Sequence, residues 1–242
     1  MKRFFDRQPV WFAVAWIVVY VLAFGNADTL SASLGTPKLV TALVGLVLTA
    51  LLLLFLRKHR LFAYFGLRSA KGLGILWFVP LAALSTVNFW HGLTVRDGAL
   101  LYIISMVWVA ILEEVIFRGL LFEAMREDGL KSAVIVSSVT FGMGHIINLF
   151  NGSGAGLLPN LLQILYATAV GFMFVMMYLK SKSLLVCIAV HGIFNAFNVF
   201  ADESAVTDSM QIVTAILLTV ITGGYAGYLA YSMKGMWNKH DT

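Results

Sequence analysis

Charge is what this sequence has least of. Only 12% of its 242 residues are Asp, Glu, Lys or Arg, against 60% apolar; a soluble domain of this size carries about twice that charge fraction. The polar surface is too small to cover a core in water, which excludes an ordinary soluble domain and makes lipid the expected outer solvent. Cysteine is nearly absent as well. Cys187 is the single thiol in the chain, so no internal disulfide can form and no oxidising compartment is implied. Inside its apolar run, Cys187 reads as a small core residue. No internal repeat or low-complexity tract stands out. The glycines Gly152, Gly154 and Gly156 lack the following basic helix start that a phosphate cradle needs. The net charge of +5 does not mark a nucleic-acid binder either, because the basic residues sit between apolar runs and read as topology signals.

What is present is a succession of long apolar runs. A membrane-crossing helix needs about 20 apolar residues, and eight runs qualify as candidates: 10–25, 38–56, 72–90, 99–122, 132–150, 158–179, 183–200 and 211–233. The first, preceded by Lys2, Arg3 and Arg7, has the look of a signal peptide, but hydrophobicity continues along the chain and the run reads as a first span. With the N-terminus in the cytoplasm, only Lys38 and Arg96 of the 17 basic residues fall on the far side. The far-side loop around Asp202, Glu203 and Asp208 contains no basic residue. This bias follows the positive-inside rule. The expectation is an all-α, polytopic membrane protein with about eight transmembrane helices and both termini cytoplasmic. It would form one domain over residues 1–242, multi-pass in the plasma membrane. In one cytoplasmic connector, Arg60–Arg68 mixes basic and aromatic residues and would either lie flat in the interface or snorkel.

Ionisable residues inside spans are costly and mark function by default. Here they cluster in three places. In the fourth span Glu114 and Arg118 are four apart, acid first, and share a helix face. Glu113 lies about 100° round the helix, unmatched by that arginine, and apolar surroundings would suit it as a general base. A structural ion-pair network is the alternative. In the fifth span Phe141 and His145 share a face, and Gly142 and Gly144 would let a neighbouring helix approach. Alone, His145 is more often a packing residue than a functional one. In the seventh span His191 and Asn195 project together and offer two donors of the kind that hold an oxyanion; interhelical hydrogen bonding is the alternative. At about 1.5 Å per residue, all three groups can share one layer of the membrane. Asn88, Asn148, Asn160, Gln163 and Asn198 read as interfacial or structural. His59, His91 and His240 lie in connectors or terminal segments and are not strong ligand candidates.

The order Glu-Glu-x-x-x-Arg, Phe-x-x-x-His, His-x-x-x-Asn, each on its own span, resembles the CAAX protease and bacteriocin-processing family, which includes the Rce1-type prenyl-protein endopeptidases. Gly119, after Arg118, also fits. The resemblance covers a motif-bearing core of about residues 99–200. It implies an eight-helix intramembrane glutamate protease in which Glu113 and His145 activate a water and His191 and Asn195 stabilise the oxyanion. Glu114, Arg118 and Phe141 would support the site.

The residues themselves agree with water as the nucleophile, since no serine or cysteine stands in a plausible triad. Two His and two Glu could bind zinc, but the H-E-x-x-H spacing is absent, so no cofactor and no metal are expected. The expected partners are the lipid bilayer and a membrane-associated peptide or protein substrate, cut near the cytoplasmic face, with no nucleic acid. The rival readings are a proton-coupled transporter or channel, which uses the same residue types, and a non-catalytic immunity or scaffold protein of the same fold.

Overall fold

The computed structural model describes residues 1–70, 74–90, 92–149, 156–202, 204 and 206–237. His91, Gly152, Gly154, Glu203 and His240, each considered above, lie outside the described residues. The chain is helical throughout. A short α1 (Lys2–Arg7) leads into α2 (Pro9–Ser33), α3 (Leu39–Lys58), α4 (Val79–Phe89) and α5 (Ala99–Glu113). The fourth apolar run continues past α5 through a π-helical stretch, Glu114–Leu121, into α6 (Phe122–Met125). Then come α7 (Leu130–Met143), α8 (Leu157–Ser181), α9 (Leu184–Asn198), α10 (Asp208–Ser232) and α11 (Lys234–Trp237). Among the described residues β pairing is limited to one isolated antiparallel bridge, Leu93 to Ala201.

Each of the eight expected spans falls on a helical segment, but helix length does not establish eight crossings. Among the described residues six helices are long and apolar enough to cross a membrane. The other two, Val79–Phe89 with 11 residues and Leu184–Asn198 with 15, would rise only about 16 and 22 Å against a hydrocarbon core of about 30 Å. Counting apolar residues hid the difference. The third run begins not as an α-helix but as a 3-10 turn, Gly74–Phe78, and the α-helix starts afresh at Val79 with Pro80 in its first turn. The two short helices pack against each other, and Asn88 donates across that contact to Asn198.

The outward faces are apolar, as lipid requires. On α3, Leu43, Leu51 and Leu54 are more than half exposed, a wasteful arrangement in water but neutral in hydrocarbon. Inward, α5 packs between α3 and α9, α8 between α7 and α10, and α2 against α3 and the π-helical stretch. In the Arg60–Arg68 connector Phe65 is buried in the core while Tyr64 is exposed. The connector backbone is pinned to the α8–α9 junction, with Leu184 N–H donating to the Gly66 carbonyl at 2.8 Å and Ser183 Oγ to the Arg68 carbonyl at 2.5 Å.

Helices α7 and α8 approach closely enough that two positions admit only glycine. A Cβ on Gly142 would overlap Thr168 Oγ1, and one on Gly171 would sit 2.8 Å from the Ser138 carbonyl oxygen. Gly144 was expected to serve the same purpose and does not: a Cβ there meets nothing within 4 Å, because α7 has already ended at Met143. Gly171→Ala therefore forces the α7–α8 contact apart. We expect a loss of about 1–3 kcal/mol from overpacking, read as a lower thermal midpoint of the purified protein in detergent. Gly144→Ala should leave the midpoint unchanged.

Candidate active site

The site is built around the point where α5 changes pitch. Glu113 is the last residue of α5 and Glu114 the first of the π-helical stretch. Short π-helical insertions are uncommon and recur at functional sites, because they re-aim side chains at the cost of regular backbone pairing. Here the Phe117 carbonyl takes an additional hydrogen bond, 2.8 Å from Ser137 Oγ on α7. The two acids consequently face different surroundings.

Glu114 points inward. Its Oε1 accepts from Arg118 Nη1 at 3.1 Å and from His191 Nδ1 at 2.8 Å, and both Glu114 and Arg118 are fully buried. Two of the three guanidinium nitrogens are hydrogen-bonded; Arg118 Nε and Glu114 Oε2 are buried without a hydrogen-bond partner. Arg118 Nη2 donates to the Gly171 carbonyl at 3.4 Å, and the charge stands 4.1 Å from the Phe141 ring centroid and 5.2 Å from that of Phe174. Cation–π contacts of this kind strengthen when water is excluded. Paired with the arginine, Glu114 is a carboxylate and can only accept. His191 Nδ1 must therefore carry the proton it shares, which turns Nε2 towards the cavity. Phe174 stacks on that imidazole at 5.2 Å and 25°, and Phe141 meets it edge-on at 6.0 Å.

Glu113 points the other way, into a cavity of ≈ 460 Å³. Its Oε2 lies 3.6 Å from His191 Nε2. Its Oε1 accepts from the Tyr20 hydroxyl at 2.6 Å, a buried hydrogen bond from α2. His145 and Asn195 line the same cavity, as do Phe141 and Phe117. His145 sits in a 3-10 turn after α7, Gly144–Leu149, and its carbonyl is fixed by Asn160 Nδ2 at 2.8 Å. The Phe141 and His145 rings are 5.9 Å apart, consistent with the shared face expected of them. The structure thus brings Glu113, His145, His191 and Asn195 to one cavity, with Glu114 and Arg118 behind its wall. Among the described residues no set of three or more His, Cys, Asp or Glu side chains is arranged to hold a metal ion.

Two features escaped the sequence reading. Tyr20 lies in the middle of the first apolar run and no motif marks it. The available signal was its phenol, which needs a partner when buried. Asn148, Gln163 and Asn198, read as interfacial or structural, also line the cavity; Asn148 Nδ2 donates to Gln163 Oε1 at 2.9 Å. Their position at helix ends was read correctly, but only the three-dimensional arrangement shows those ends meeting over one cavity.

These features define a polytopic helical membrane protein in which two adjacent carboxylates, two histidines and an amide cluster inside the bundle. Comparison with known proteins agrees. Residues 95–197 match the family described as type II CAAX prenyl endopeptidase Rce1-like. The chain is also similar to the Bacillus subtilis (strain 168) protein named "Putative membrane peptidase YdiL", 30% identical over 125 residues. That alignment covers 51% of this chain and 46% of the relative, so the chain spans about half the length of the curated protein it matches. No solved structure gives a significant match.

The geometry separates the two acids experimentally. Removing the charge of Glu114 leaves Arg118 buried without its ionic partner, which costs about 3–5 kcal/mol when a buried pair is broken. Glu114→Gln should therefore unfold at a markedly lower temperature in detergent, and Glu113→Gln, whose amide can still accept from Tyr20, should stay near the wild type. A double-mutant cycle of Tyr20→Phe with Glu113→Gln in the same thermal assay should show coupling. Strict additivity would mean that the Tyr20–Glu113 bond does not form.

Proposed function

We propose that this protein is an intramembrane endopeptidase that hydrolyses a peptide bond of a membrane-associated peptide or protein with an activated water and without a metal. The observation that carries the reading is the convergence of Glu113, His145, His191 and Asn195 on one cavity within the helical bundle. The family match over residues 95–197 supports it.

In this reading Glu113, oriented by Tyr20, takes a proton from water, with His145 across the cavity assisting. The water oxygen attacks the scissile carbonyl carbon. The oxyanion that forms accepts from the Asn195 amide and from His191 Nε2–H when the ring carries a proton on both nitrogens, with Glu114 orienting the ring at Nδ1. Collapse breaks the carbon–nitrogen bond, and the proton held by Glu113 passes to the departing amine. Glu114 and Arg118 touch no reacting atom and act through His191. Zinc fits the donor set poorly, since Glu114 Oε1 is already shared between Arg118 and His191 Nδ1.

The proton-coupled transporter reading needs a path through both faces. The cavity reaches only one end of the bundle, while the side chains beneath Glu114 are packed closed, Val115 and Ile116 at 0% exposure. That observation favours the protease over the transporter.

Purified wild type should cleave membrane-anchored peptides from a library in liposomes, with products read by mass spectrometry and cleavage unchanged by a zinc chelator. Glu113→Ala should release no product. Cleavage that a chelator abolishes would contradict the metal-free site, and equal turnover by Glu113→Ala would remove Glu113 from the chemistry.

A further inference from the structure

Resting on the protease reading, we infer that the active-site cavity opens to the non-cytoplasmic side of the membrane, so that its substrate is a membrane-anchored peptide whose scissile bond lies in or beyond the outer leaflet. From its depth at Glu113 and His191, the cavity lining runs to Asp28 late in α2, Lys38 just before α3, Gln163 early in α8 and Asn198 at the end of α9. All four stand at the same end of the bundle. It is the end remote from the basic connectors: Arg57 and Lys58 close α3, and Lys180 lies in the last turn of α8. The opposite direction is sealed. Val115, Ile116, Leu120, Phe122, Met177 and Leu184 fill the space between the site and the basic ends at no more than 2% exposure.

The side is assigned by charge. Only Lys38 and Arg96 of the 17 basic residues belong to the cavity-mouth side, and Lys38 is ion-paired with Asp28 at 2.8 Å. The positive-inside rule places such a side away from the cytoplasm. Short as they are, α4 and α9 each carry the chain from one end of the bundle to the other, Gly98 before α5 lying beside Pro37 and Asn198 lining the cavity mouth, so both termini stay at the basic end. The direction reverses the cytoplasmic-side cleavage expected from the motifs, because spacing along a helix gives depth but not which way the cavity opens. The mouth carries neutral amides, Gln163 and Asn198, and the balanced Asp28–Lys38 pair. That lining suits the amide backbone of an extended peptide better than a charged small ligand.

Cysteine accessibility tests the sidedness without any turnover. Gln163→Cys and Arg57→Cys would be compared in intact spheroplasts with a membrane-impermeant maleimide, with the wild type as background because Cys187 is fully buried. We expect Gln163→Cys to react at least about tenfold faster than Arg57→Cys, and Arg57→Cys to label once the membrane is permeabilised. Labelling of Gln163→Cys only after permeabilisation, or none at all, would overturn the inference. A pair of single-span reporters, with the cleavable peptide on the outer or the cytoplasmic side, adds the substrate arm. Cutting of the outer reporter supports the inference and cutting of the cytoplasmic one overturns it. If neither is cut, the protease reading fails on its own terms and the labelling still decides which way the cavity opens.

Discussion

The Glu114–Arg118 pair is the constraint on which the rest depends. Two charged side chains at zero exposure inside a membrane bundle are tolerable only because each offsets the other's charge and most of their polar atoms are engaged, Glu114 Oε2 and Arg118 Nε being the exceptions. The guanidinium draws in α8 through the Gly171 carbonyl and the Phe174 ring and α7 through the Phe141 ring, and the carboxylate draws in α9 through His191. Three helices are thereby tied to one charge centre. The α7–α8 contact must be close for this to hold, which is why Gly142 and Gly171 have no room for a side chain. The pair thus does structural work whose effect on chemistry is indirect. It fixes which nitrogen of His191 faces the cavity.

Two consecutive acids then divide the tasks. A regular α-helix already separates neighbours by about 100°, and the change to π-helical pitch at Glu114 makes the separation one of environment too. Glu114 meets a cation and a histidine in a sealed interior. Glu113 meets a phenol, an imidazole edge and open cavity. The second contact partner, Tyr20, lies outside the region that matches the family model. The helices flanking that region therefore contribute to the site and do more than anchor it.

How much of this was legible in the sequence differs by feature. The helical membrane class followed from the scarcity of charge. The pairing of Glu114 with Arg118 followed from i, i+4 spacing, and the convergence of three spans from their depths. Spacing could not report what lies across from a helix, so Tyr20 and the cavity role of Gln163 and Asn198 were missed. Nor could it tell an apolar run that is wholly α-helical from one that starts as a 3-10 turn, as residues 74–89 do. Periodicity likewise assumed a continuous helix through His145, whereas α7 ends two residues earlier and the histidine rides on a tighter turn.

The most direct test of the account is the tautomer of His191, measured by nitrogen-15 magnetic resonance on selectively labelled protein at neutral pH. With Glu114 accepting at Nδ1, the neutral imidazole should be protonated at Nδ1 in the wild type, and Glu114→Gln should lose that preference. A wild-type His191 protonated at Nε2 instead would mean that Glu114 does not set the histidine, and the link from the buried ion pair to the active site would be broken.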